Sequence, residues 1–174
     1  MELLIKQFDN VFELKSSSTS LSAKWFMTFG KQEMEVFQEK QLRYSIVRRF
    51  TFWKWKLRYT IKDLKGNTFV LENSNRDHSI YEVKMGEVSY QIKMHPLMMK
   101  SFFKNGKQIA FSEETRLDKG KGTYLWMNHD ENIEILFLLS VCFKIGETNE
   151  SLIKYNLGHS GKTESRDKDW IATS

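Results

Sequence analysis

Up to residue 128 alternation of apolar and polar residues at period two dominates the chain, the mark of strands with one buried face. Val11–Lys15, Ala23–Phe29, Glu35–Glu39 and Arg43–Phe50 read as the first strands, with a Ser/Thr loop at Ser16–Ser20 and a turn at Gly30-Lys31. The cleanest alternation follows: Trp53, Trp55, Leu57, Tyr59 and Ile61 interleave with Lys54, Lys56, Arg58, Thr60 and Lys62. That pattern predicts a half-buried antiparallel strand with an aromatic-aliphatic inner face and a basic outer face. Phe50 and Phe52 fall on the opposite parity, so a turn or bulge is required near Phe52–Trp53. Further strands are expected at Thr68–Glu72, Ser79–Met85, Val88–Met94, Met98–Phe103, Gln108–Ser112 and Thr123–Met127. Asp63–Asn67, Gly86-Glu87, Asn105-Gly106 and Gly120–Gly122 supply turns between them, Asn-Gly being the strongest short hairpin signal. Turns every 8–12 residues or so describe a closed barrel or a sandwich.

The pattern then changes. From Ile133 to Ile145 only Glu134, Ser140 and Lys144 interrupt an apolar run. A helix this apolar on all sides belongs inside something. At about 13 residues it falls short of the ~20 needed to cross a bilayer, so a buried core helix is expected. Asn128 or Asp130 is placed to cap it, Lys144 lies in its last turn and Gly146 suits the position after its end. One greasy helix after many short strands implies a sheet curled around it. Beyond it, Ser151–Leu157 is a candidate short strand, and His159–Asp169 reads as polar and loose, with Trp170-Ile171 free to dock. The expected organisation is a single domain over residues 1–157, its helix near 130–145, followed by a polar tail over 158–174.

Composition agrees with one well-packed domain: 174 residues, 40% hydrophobic and 14% aromatic. The lone Cys142 sits in the apolar helix and reads as a small core hydrophobe, which fits a reducing compartment. The start, MELLIKQFDN, has neither the cations nor the long apolar run of a secretory signal, so a cytoplasmic protein is expected, peripheral to a membrane at most. A net charge of +5 permits binding to anionic surfaces without requiring it.

Two stretches carry a resemblance. Tyr59-Thr60-Ile61-Lys62-Asp63-Leu64-Lys65-Gly66-Asn67 is similar to the strand–Asp-x-x-Gly–strand hairpin of the tubby-like superfamily, and Asn128–Gly146 to its acidic-capped terminal helix. Met98–Phe111 repeats the hairpin theme around Asn105-Gly106. The superfamily includes tubby C-terminal domains, phospholipid scramblases and LURP-one-related proteins. The resemblance covers roughly residues 40–146 and leaves the first forty unplaced. It implies an antiparallel β-barrel, usually of twelve strands, enclosing a central hydrophobic C-terminal helix. It also implies binding of phosphoinositide-like anionic lipid through basic surface residues. The Cys-rich and Pro-rich segments of scramblases have no counterpart here, which argues against lipid translocation.

Between Lys40 and Lys62 lie eight basic residues and no acidic one. Lys54, Lys56, Arg58 and Lys62 share a strand parity, and cations on alternate positions, ~6–7 Å apart, suit a row of phosphates. These four are the candidate anion-binding residues; the bland alternative is a solvated face offset by acids on neighbouring strands. Trp53, Trp55 and Tyr59 are expected to be consumed by the core, which disfavours nucleic acid. The chain holds no HxxxH or CxxC spacing, P-loop, dinucleotide fingerprint or nucleophile elbow, so no catalytic residue, metal or cofactor is expected. Met94, Met98 and Met99 around His95-Pro96 read as core filler beside a turn rather than an adaptable binding lip. The expectation is a non-enzymatic binding module for anionic membrane lipid. The alternative is a protein-interaction scaffold using loops or a sheet edge. An enzyme with a barrel-mouth pocket and His95 or His129 as base ranks below both.

Overall fold

The computed structural model describes residues 1–147 and 163–173. Twelve strands close into one antiparallel barrel. They are β1 (Glu2–Phe8), β2 (Val11–Lys15), β3 (Ser20–Thr28), β4 (Lys31–Gln38), β5 (Gln41–Thr51) and β6 (Lys56–Asp63). The remainder are β7 (Thr68–Asn73), β8 (Ile80–Met85), β9 (Val88–Met94), β10 (Lys100–Lys104), β11 (Lys107–Arg116) and β12 (Lys121–Met127). Each strand pairs with its sequence neighbours, and β1 closes the ring against β12, from Glu2 opposite Trp126 to Gln7 opposite Lys121. Closure removes every free edge from the sheet, so a scaffold acting through an exposed edge strand has no edge to use. β1 is the one strand the alternation did not announce. Its Leu3, Ile5 and Gln7 point inward and are buried.

The helix α1 (Ile133–Cys142) fills the barrel, with Leu136 through Cys142 all buried. Asn132 caps it, its side-chain oxygen accepting the Ile135 N–H at 3.1 Å, rather than Asn128 or Asp130. Asn128 instead stays with β11, its N–H donating to the Ile109 carbonyl. The three polar interruptions each have a reason. Glu134 meets Arg43 of β5 at 3.0 Å, Ser140 donates back to the Leu136 carbonyl at 2.7 Å, and Lys144 forms an ion pair with Glu114 of β11. The helix ends three residues earlier than the apolar run, in a turn reaching Gly146 at φ +91°. The positive φ favours glycine there, and an added side chain would also have to push aside the end of the Gln32 side chain, 2.8 Å away.

Antiparallel order puts the β1–β2, β3–β4, β5–β6, β7–β8, β9–β10 and β11–β12 loops at one end, here called the mouth. The helix enters at the opposite base and climbs to the mouth. There Arg48 donates to the Ile145 carbonyl at 3.0 Å and the Trp25 indole to the Glu147 carbonyl at 2.7 Å. Among the described residues, no helix is long and apolar enough to cross a membrane.

Residues 163–173 run outside the barrel as a strap. The Glu164 N–H donates to the Met94 carbonyl at the mouth end, and the His129 N–H donates to the Thr173 carbonyl at the base. The expected loose tail is therefore anchored in its described part; Ser151–Leu157 and His159 lie outside the described residues. Buried His95 is part of the anchor: Nδ1–H donates to the Glu164 carbonyl at 2.9 Å, leaving Nε2 to accept from Ser101 at 2.8 Å. Burial holds its pKa below the ordinary value of ~6.5. The unfolded chain thus takes up a proton near pH 6.5 that the folded chain refuses until lower pH. Stability should fall as pH drops through that range, and the fall should shrink in His95→Gln; thermal melts at pH 7.5 and 5.5 check this.

Candidate functional site

The strand expected over residues 53–62 is shorter than its alternation. Phe52–Lys54 form a single 3-10 turn, Trp55 sits in the left-handed region at φ +49°, and β6 begins at Lys56. The parity break at Phe52–Trp53 is thus resolved by a tip, not by a bulge within a strand. Leu57, Tyr59 and Ile61 face the core as expected. Trp53 and Trp55 do not: Trp53 is 88% exposed at the tip, and Trp55 folds back at the mouth, edge-on to Phe50 at 5.5 Å and to Phe52 at 5.9 Å. A bulky residue at positive φ is uncommon, and these ring contacts together with the Trp55 N–H bond to the Phe52 carbonyl hold it there.

The four candidate cations part company. Lys54 leaves the sheet face for the tip, between Trp53 and Trp55. Lys56 and Arg58 both turn to Glu72 on β7. Lys56 Nζ lies 3.1 Å from one of its oxygens, and Arg58 donates to the other from Nε at 3.0 Å and a terminal nitrogen at 2.8 Å. Partial burial pushes the Glu72 carboxyl up, but the bonds from Arg58 and Lys56 outweigh it and hold the pKa below the usual range. Lys62 stays exposed on β6, in a cross-strand row with Ser45 and Glu35, beside a shallow groove that Glu33 also lines. Two of the four cations are therefore already answered by a carboxylate. Only the register between β6 and β7, which sets Arg58 opposite Glu72, brings that acid to them.

What the fold assembles instead lies at the mouth. The β3–β4 turn carries Phe29, fully exposed at 100%, with Met27 just before it; the adjacent β5–β6 tip carries Phe52 and Trp53. Phe8, on the β1–β2 side of the same end, is also exposed. These apolar tips are interleaved with exposed Lys31, Arg49 and Lys54. None of those three pairs with a carboxylate among the described residues. Arg49 lies directly opposite Arg58 across β5 and β6, where Glu72 already answers the Arg58 charge. The sequence reading missed this end; Phe29 before Gly30 and the parity break at Phe52 are the signals that could have found it. Periodicity alone assigned the tryptophans to the core.

His95 and His129, the two histidines weighed as bases, are at opposite ends of the barrel. His95 is committed through both ring nitrogens, and His78, packed among Phe50 and Trp55, is buried below the tip. Met98 stands in a strained loop, with Leu97 and Met98 both at positive φ, while Met94 packs against the core. No protein-family model, curated protein or solved structure matches the chain.

Proposed function

We propose that this barrel is a non-enzymatic, cytoplasmic binding module that docks peripherally on an anionic membrane surface. In this reading the mouth leads, with Phe29, Phe52 and Trp53 entering the interfacial layer and Lys31, Arg49 and Lys54 meeting lipid phosphates. The observation that carries it is the joint presence, on neighbouring hairpins of one end, of bare aromatic tips and cations that have no acidic partner among the described residues. Exposed Trp and Phe gain from a layer that is apolar on one side and wet on the other. Each Lys or Arg near such a surface contributes about 1 kcal/mol. The tubby-like resemblance supports the same reading, since a twelve-strand barrel around a hydrophobic helix is the architecture it implies, with anionic phospholipid as its ligand class.

The test is co-sedimentation with vesicles of neutral phosphatidylcholine and with vesicles containing a fifth of an anionic phospholipid. Binding is expected only to the second, weakening as salt rises because screening shortens the reach of the cations. Trp53→Ala should cost roughly 1.5 kcal/mol, about tenfold in partitioning, with no loss of folding. Equal recovery on both vesicle types at low salt would sink the reading and favour a protein partner for the rim.

A second substitution separates the rim from the sheet face. Glu72→Gln releases Lys56 and Arg58 from their shared carboxylate. If the face reaches the bilayer, adsorption should strengthen several-fold; if the rim alone makes contact, it should change by less than about twofold. Vesicle titration of this variant beside Trp53→Ala reads both contributions.

A further inference from the structure

Three polar side chains buried on the outside of the barrel obtain hydrogen-bond partners from one distant segment. Ser79 and Asn128 are 1% and 4% exposed, as is His95 at 4%. Ser79 donates to a Glu164 carboxylate oxygen at 2.6 Å, His95 donates to the Glu164 carbonyl, and the Asn128 side-chain oxygen accepts the Thr173 N–H at 2.9 Å. Between these two anchors the Arg166 guanidinium lies over the Phe111 ring at 4.1 Å. Phe111 in turn stacks on Trp126 at 5.8 Å, and Trp126 on Tyr124 at 5.7 Å, so the outer face of β11 and β12 is an aromatic ladder.

The strap adds no strand to the sheet. Between its anchored ends it bridges a groove of about 510 Å³ bordered by Phe111, Glu113, Trp126 and Trp170, and Ile171 remains 82% exposed. Two ends fixed mainly by main-chain hydrogen bonds, a Glu164 carboxylate on Ser79 and an exposed arginine laid over an aromatic ring describe a segment resting on the wall. An integral core element would bury its whole length. Ser79, His95 and Asn128 are buried with the strap in place; once it lifts, water reaches them, and Ser79 and His95 keep Asn75 and Ser101 as partners, so the strap can be exchanged for another segment of the same chemistry without stranding them.

We infer that the outer wall from the mouth end of β8 and β9 across β10–β12 is a peptide-docking surface that the chain fills with its own residues 163–173. The partner it fits is an extended peptide with a glutamate at the mouth-end anchor and an arginine two residues later, which would displace the strap. This surface is on the side of the barrel, away from the aromatic rim, and the inference does not depend on membrane docking. Fifteen residues separate Glu147 from Thr163. With the strap seated on it the wild-type wall is self-blocked, and an added peptide must displace residues 163–173 to bind.

The experiment uses the full chain and a fluorescein-labelled peptide with the sequence of residues 163–173. Full-length Glu164→Ala/Arg166→Ala, in which the strap keeps its main-chain bonds but has lost its two side-chain contacts, should bind the peptide at least tenfold tighter than the wild type. A peptide with alanine at those same two positions should bind neither protein. Equal affinity for the two proteins, or no binding to the variant, overturns the inference. A second arm keeps the test independent of the variant's folding. Excess unlabelled peptide should accelerate amide hydrogen exchange in residues 165–173 of the wild type while β11 and β12 stay protected; unchanged exchange overturns it equally.

Discussion

Phe137→Ala should lower the melting temperature by roughly 6–20 °C, the largest effect expected of any single truncation in this chain. Phe137 is completely buried at the centre of α1, enclosed by the barrel wall. Removing a buried phenyl ring forfeits its transfer free energy and leaves a cavity that a closed barrel has little freedom to collapse, about 3–5 kcal/mol together. In a domain of this size each kcal/mol moves the midpoint by about 2–4 °C. The contrast is Phe29→Ala, the same substitution at a fully exposed position. It should leave stability within about 0.5 kcal/mol while weakening adsorption to anionic vesicles. Thermal melts and vesicle binding of the two variants therefore give opposite readouts. Equal stability losses would mean that the helix is not sheathed by the sheet as described.

That contrast follows how each part of the fold was written in the chain. Alternation announced eleven of the strands because in each one face is wet and one is dry. The helix was legible because it has no wet face at all. β1 escapes the alternation because one of its three inward positions, Gln7, is polar, which leaves only Leu3 and Ile5 to mark a buried face. Trp53 and Trp55 were misplaced for a different reason. Alternation carried on past the strand end, and nothing in a tryptophan marks it as a left-handed residue where a glycine would have done so. The candidate site suffered most, because its electrostatics are non-local. Glu72 quenches Lys56 and Arg58 from a neighbouring strand, and only register reveals that. The strap lay further still from reach, since Glu164 and Thr173 find Ser79, His95 and Asn128 at separations no short-range pattern encodes.

Glu114→Ala should be nearly as damaging as the loss of the core ring, although it removes only a carboxylate. Glu114 projects from β11 into the upper barrel, where it meets Lys144 from the end of the helix and Lys100 of β10 at 3.6 Å. Both ammonium groups are under a tenth exposed. Glu147 at 3.4 Å and the Met98 carbonyl at 3.1 Å share the task, but Glu114 is the acid between the two lysines. Two cations drawn out of water are tolerable with that charge present; without it they repel each other at low dielectric, which costs about 3–5 kcal/mol. Replacing Lys144 by Met in the same background removes one of the two mutually repelling charges and keeps apolar bulk at the site. The double variant should then be more stable than Glu114→Ala alone, by at least about 1 kcal/mol. Urea unfolding of the wild type, both single variants and the double variant closes the cycle. A coupling energy near zero would show that the helix end is held at the mouth by packing rather than by these charges, and that the lysines find water there instead.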